Sequence, residues 1–146
     1  MDEIGSGPVA LDTAIFIYYI EEHSQFLPLV EPVFAAIDAG PLEGVTSGLT
    51  LLETLVAPYR FGNGPLAERY EGLLTRSRGI RLVDLRLPLL RAAAQLRSGT
   101  LVRTPDAVRL AAALAANCAA YLTNDRDLPS IPGLRILQLR DYLPAA

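Results

Sequence analysis

Short β-type runs alternate along this chain with longer segments of helical apolar spacing, and that alternation is the strongest constraint on its fold. The runs are Val9-Ala10-Leu11, Gly44-Val45-Thr46, Ile80-Arg81-Leu82-Val83, Ala120-Tyr121-Leu122-Thr123 and Leu134-Arg135-Ile136-Leu137. Between them the spacing predicts helices over 14–21, 26–39, 48–58, 65–77, 87–98 and 105–117. Strands separated in this way pair in parallel and are covered by helices on their faces. The helix from 105 is the best marked. In Thr104-Pro105-Asp106 a hydroxyl can accept from free amides, proline takes the first turn, and an acid follows where the helix dipole favours it. Residues 107–115 are then apolar almost all round, which buries this helix against the sheet, and Asn117 is its expected stop.

Composition narrows the function. With 146 residues, 51% of them apolar, and no repeat or low-complexity tract, the expectation is a single domain over 1–146. All 13 basic residues are arginine, so lysine Schiff-base chemistry and the Walker phosphate loop are excluded. One histidine, His23, and one cysteine, Cys118, cannot form a structural zinc site, and a disulfide framework is impossible. The balance of 13 basic against 16 acidic residues, −3, is not that of a protein that coats nucleic acid. An acidic start and the lack of any apolar run near the roughly 18 residues of a membrane span point to a cytoplasmic protein without a membrane partner.

The acids fall at informative places. Asp12 closes the first strand, and Asp125 follows the fourth in Leu122-Thr123-Asn124-Asp125. In an open parallel sheet ligands collect at the carboxyl ends of the strands, near the point where strand order reverses. Asp106 opens the helix leading into that fourth strand. Glu53 interrupts Leu49-Thr50-Leu51-Leu52-Glu53-Thr54-Leu55-Val56, where a lone carboxylate is costly to desolvate unless it is paired or bound to a cation. If the four meet, their repulsion raises at least one pKa or demands a divalent ion, and hard oxygen ligands favour magnesium or manganese.

Each acid also has an ordinary use. Asp12 can cap the next helix, Asp106 can serve the dipole, and Asp125 and Asp127 suit a turn. These uses do not explain why the acids share one edge. His23 reads as a solvated residue at a helix end, Cys118 as a small core residue, and the Tyr18-Tyr19 pair as core or partner contact in preference to base stacking. Arg76, Arg78 and Arg81 form a modest basic cluster. Arg86, Arg91, Arg97, Arg103 and Arg109, spread over the next two helices, read mostly as solvated, with some available to hold phosphates.

At these residues the sequence closely resembles the PIN-domain family, and within it the VapC-type toxins of bacterial toxin–antitoxin pairs. The resemblance runs through Leu11-Asp12-Thr13, Ser47 to Leu52-Glu53, Thr104-Pro105-Asp106-Ala107 and Leu122-Thr123-Asn124-Asp125-Arg126-Asp127-Leu128. It implies a three-layer α/β/α sandwich with a central parallel sheet of about five strands. It also implies a metal-dependent endoribonuclease whose catalytic and metal-holding acids are Asp12, Glu53, Asp106 and Asp125, with Thr13 and Thr123 beside the metal and Asp127 an alternate to Asp125. The cofactor implied is Mg²⁺ or Mn²⁺, the substrate RNA, the products a 5′-phosphate and a 3′-hydroxyl. A small inhibitory antitoxin and a homodimer are the expected partners, with the apolar early helices (Ile15, Phe16, Ile17, Ile20, Phe26, Leu27) offering a surplus for an interface. Leu128 departs from a phenylalanine common in the family, and the lack of lysine is unusual for a surface that holds RNA. The competing readings are a phosphoacceptor signalling domain, which wants a lysine this chain lacks, and a non-catalytic PIN-like binding module. A phosphatase of the haloacid dehalogenase type would need an aspartate where Ala14 stands.

Overall fold

The computed structural model describes residues 4–5 and 7–144. Its elements run β1 (Val9–Leu11), α1 (Thr13–Ile20), α2 (Leu27–Ala39), β2 (Gly44–Ser47), α3 (Gly48–Arg60), α4 (Gly64–Arg76), β3 (Ile80–Val83), α5 (Leu87–Gly99), α6 (Thr104–Ala115), β4 (Ala120–Thr123) and β5 (Arg135–Gln138), followed by a 3₁₀ turn at Leu139–Tyr142. The five strands form one sheet in the order β3-β2-β1-β4-β5, and every pairing is parallel. The chain leaves β1 in one direction to build β2 and β3, then returns to lay β4 on β1's other side. The reversal of order therefore falls between β1 and β4.

Period-2 alternation sorts the two cores. Val9 and Leu11 of β1, with Ala120 and Leu122 of β4, face a core filled by Ile15, Phe16, Val30, Val33 and Phe34 of α1 and α2. Ala10, Val45 and Tyr121 face the opposite way, onto Leu89 and Ala93 of α5 and the small residues of α6. Burial on both faces is why these strands are nearly continuous apolar runs, and the result is the expected three-layer sandwich. A third cluster, Ile20, Leu55, Ala67 and Tyr70, fixes the α3–α4 pair to the end of α1. There the Tyr70 hydroxyl donates to the Glu21 carboxylate and Arg69 donates to the Ile20 carbonyl at 2.9 Å.

Local chemistry explains most element ends. Proline occupies the first turn of α2, α4, α5 and α6, where its missing N–H costs nothing. Asn63 caps α4 by accepting from Leu66 N at 3.1 Å. Asn117 takes the left-handed conformation (φ 58°) just past α6, the stop its position suggested. The proposed cap at Thr104 is corrected. Arg103 is the N-cap and gives no side-chain capping bond, its guanidinium lying 3.6 Å from Asp106 Oδ2, while Thr104 is the first helical residue and its hydroxyl accepts from Arg97 at 2.9 Å. Also corrected is the apolar surplus of the early helices. Ile15, Phe16, Ile20 and Phe26 are buried core, and Tyr19 stacks on Phe34 with ring centroids 4.0 Å apart. Exposed apolar side chains sit instead on α3 and just beyond it, at Leu52, Val56, Tyr59 and Phe61, and on α5 at Leu87 and Leu90. Among the described residues no helix is long and apolar enough to cross a membrane.

Candidate active site

The site lies where β1 and β4 end. Asp12 leaves β1 in extended backbone and opens α1. Its Oδ1 accepts from Thr13 N at 2.7 Å, so the helix-cap use of this residue is realised, and its Oδ2 accepts from the Thr123 hydroxyl at 2.6 Å. Asp12 is only 8% exposed. Burial raises its pKa above the ordinary 3.8; the Arg109 charge and the bonds from Thr123 and Thr13 pull the other way without cancelling the rise.

Three acids from three elements meet on one cation. Arg109 of α6 places Nε 3.2 Å from Asp12 Oδ1, Nη2 2.8 Å from Asp106 Oδ1, and Nη1 in contact with Glu53 Oε1. Each carboxylate thus faces a different nitrogen of the same guanidinium. The Nε contact with Asp12 is an ion pair without hydrogen-bond alignment, and that buried nitrogen has no hydrogen-bond partner. Arg109 is 7% exposed and Asp106 4%. Burial pulls the guanidinium pKa down, but the Asp12 carboxylate and the other charged neighbours more than reverse this, so the group stays protonated. Arg109 is therefore no solvated face residue, and the expectation for that position is corrected.

A hydroxyl ladder ties the acids to the sheet. Thr13 donates to Glu53 Oε1 at 2.9 Å, contacts the Thr50 hydroxyl at 3.1 Å, and Thr50 in turn meets Thr46 of β2 at 2.7 Å. Glu53 keeps the most solvent of the three acids, its side chain 30% exposed. Nearby in the same field, burial and then the Asp12 charge hold the Tyr121 phenol well above its usual pKa.

Asp125 stands two residues beyond Thr123, whose hydroxyl accepts from Asp125 N at 3.0 Å while donating to Asp12. Its carboxylate accepts from Asp127 N at 2.9 Å, and its carbonyl from Gln138 at 2.9 Å. Asp125 is half-buried, whereas Asp127 is exposed. The structure thus joins Asp12, Glu53 and Asp106 through Arg109, ties Asp125 to Thr123 by its backbone N while its carboxylate accepts from Asp127 N, and leaves the Asp127 side chain exposed. Among the described residues no three carboxylates stand together in the arrangement of a metal site; Asp12, Glu53 and Asp106 each contact Arg109. The donors themselves, the carboxylates of Asp12, Glu53 and Asp106, are hard oxygens suited to a divalent ion.

Arg109, Thr50 and Thr46 escaped the sequence reading. A signal for Arg109 existed: an arginine inside the apolar run Val108-Arg109-Leu110-Ala111 carries the same desolvation problem that made Glu53 stand out, and Asp106 lies one turn away. His23 proves to organise the α1–α2 turn, its Nδ1 accepting from Gln25 N and Phe26 N, both at 3.2 Å.

A parallel sheet with acids at the reversal of strand order defines a class of α/β proteins that gather ligands at that edge. The family model of the PIN domain matches residues 9–134, and the chain belongs to that family. A comparison of the sequence with curated proteins finds no match. Solved structures similar in fold include a chain of the VapBC2 complex from Rickettsia felis bound to a promoter DNA fragment, with a TM-score of 0.68, 16% identity, and coverage of 90% of this chain and 98% of that one. VapC20 of Mycobacterium tuberculosis, described as a toxin that cleaves the sarcin–ricin loop, gives 0.66 at 16% identity over 82% and 91%. A toxin–antitoxin complex from Klebsiella pneumoniae gives 0.65 at 20% identity over 86% and 94%.

Proposed function

We propose that this protein is a metal-dependent endoribonuclease of the VapC type, acting as one domain over residues 1–146, with Asp12, Glu53, Asp106 and Asp125 as its catalytic acids. The observation that carries the reading is the meeting on Arg109 of Asp12, just past β1, Glu53 of α3 and Asp106 of α6 at the carboxyl edge of the sheet. A stability role alone does not call for three carboxylates on one buried guanidinium, with only the exposed Arg103, 3.6 Å from Asp106 Oδ2, as a further cation beside them.

Mg²⁺ or Mn²⁺, when bound, supplies polarisation of the phosphodiester and activation of the attacking water. The chain's own groups hold and aim the donors. Asp12 is fixed by two bonds, from Thr13 N and from the Thr123 hydroxyl, so its oxygens cannot swing away from the edge. Glu53 is oriented by Thr13, and Asp125 enters through Thr123. No protein nucleophile is needed, in keeping with a site that contains neither histidine nor cysteine; Cys118 is buried at 4% exposure in the α5–α6 core.

A small antitoxin is the partner this reading implies, supported by the toxin–antitoxin complexes among the structures of like fold. The exposed apolar side chains of α3, on the same helix as Glu53, suit contact with such a partner or with a second copy of the chain. We place the protein in the cytoplasm, where its substrate is found. The test is cleavage of structured RNA with Mg²⁺ or Mn²⁺. Activity should stop with EDTA and be absent in Asp12→Asn and Asp106→Asn, both folded by circular dichroism. Normal cleavage by both variants overturns the assignment, and covalent labelling by a small phosphodonor would favour the signalling-domain alternative.

A further inference from the structure

We propose that Arg109 is the resident cation of the acid pocket: an intramolecular competitor that occupies the position a divalent ion needs and must yield it before that ion can bind. The inference rests on the metal-dependent reading above and adds to it a control supplied by the chain itself.

The geometry is specific. A guanidinium usually pairs with one carboxylate through two parallel bonds. Arg109 instead spends its three nitrogens on three acids, Nε toward Asp12, Nη1 toward Glu53 and Nη2 toward Asp106. Its planar fork therefore lies among the carboxylates, and among the described residues the acids form no metal-type group. One of the three contacts is imperfect, since Nε has no aligned acceptor. The arrangement is thus a compromise in which one buried guanidinium serves three carboxylates, with the exposed Arg103 touching only Asp106, at 3.6 Å.

The position of Arg109 makes exchange with another cation feasible. It stands one turn after Asp106 on α6, so its long side chain reaches the three acids from a fixed point on the helix, with only single bonds between that point and the guanidinium. On the outer side its partner is Glu53, the most exposed acid of the group. Replacing +1 by +2 among three carboxylates gains Coulomb attraction but costs the displacement of a buried, paired guanidinium. That cost appears as weakened divalent affinity, and it also keeps the metal-free pocket from being an assembly of bare anions.

The test is isothermal titration of the full-length protein with Mn²⁺ alone, comparing wild type with Arg109→Met after EDTA treatment and dialysis. The variant should bind Mn²⁺ at least about tenfold more tightly, and its melting temperature should rise more on Mn²⁺ addition than that of wild type. Should Arg109→Met fail to fold without metal, Arg109→Gln, whose amide retains a donor for Asp106, carries the same comparison. Equal or weaker Mn²⁺ binding by the variant overturns the competitor role while leaving the metal-dependent site in place. Absence of Mn²⁺ binding to wild type and variant alike overturns the metal-dependent reading, and the competitor with it.

Discussion

Thr123 donates its hydroxyl to Asp12 Oδ2 at 2.6 Å, joining the last residue of β4 to the residue that follows β1. These two strands are parallel neighbours in register, with Leu11 opposite Leu122, so the bond is placed by the sheet itself. Thr123 is fully buried, and the same hydroxyl accepts from Asp125 N at 3.0 Å. Thr123→Val keeps the shape and removes both bonds. It should lower stability by about 1–3 kcal/mol, the cost of leaving buried polar groups unpaired, as read by urea denaturation. Cleavage should fall by about 10–100-fold, the usual effect of losing a group that orients a metal-binding side chain.

Asp12→Asn separates catalysis from folding. Burial raises the folded-state pKa of Asp12 above its unfolded value near 3.8. A raised value means that its contribution to folding is fully present below the unfolded pKa and is lost as pH climbs through the folded one. At neutral pH, metal-free wild type therefore carries a cost that the neutral amide avoids. Thermal melts in EDTA at pH 7 should show Asp12→Asn melting no lower than wild type, with the difference shrinking toward pH 4, while RNA cleavage is lost. A clearly lower melting temperature at pH 7 contradicts the account.

Asp125 and Asp127 should behave differently. Asp125 is half-buried and its backbone N bonds Thr123, next to Asp12, whereas Asp127 is exposed and its backbone N bonds only the Asp125 carboxylate. Asp125→Asn is expected to reduce cleavage strongly, and Asp127→Asn to leave it near wild type. Matched initial rates on one RNA decide between them.

Gly79 has no room for a side chain. A Cβ there would sit 2.5 Å from the Ile37 carbonyl oxygen, so the end of α2 approaches the start of β3 more closely than any other residue permits. Gly79→Ala should destabilise by about 1–3 kcal/mol through overpacking, visible as a lower denaturation midpoint.

Cys118 should be inert in the native protein. Burial pushes its thiol up to about 11, and it is 4% exposed. A thiol-reactive dye at pH 8 should label it no faster than the protein opens, and at full speed in denaturant.

Much of this architecture was legible from pattern. Three of the strand runs, 9–11, 80–83 and 120–123, have the bounds expected, and the helix ends differ by a residue or two. The reason is that fully buried parallel strands and proline-opened helices write themselves locally. The acids Asp12, Glu53 and Asp106 were legible too, one from its strand end and one from its misfit among apolar neighbours. What pairs with them was not. Arg109 meets Glu53 across 56 residues of chain, and no local period records such a meeting. Thr104 misled for the opposite reason: a hydroxyl before proline has the chemistry of a cap, but its oxygen is spent on Arg97. The apolar early helices read as an excess because their burial against α4, β3 and the turn after β5 depends on segments far along the chain.

A guanidinium never gives up its proton in water, and among these acids Arg109 holds it more firmly still. Acidification and alkalinisation are consequently unequal levers on this protein. Lowering the pH can neutralise Asp12, whose protonated form burial already favours, but no physiological base can remove the positive member, so base cannot strip the pocket of its own cation.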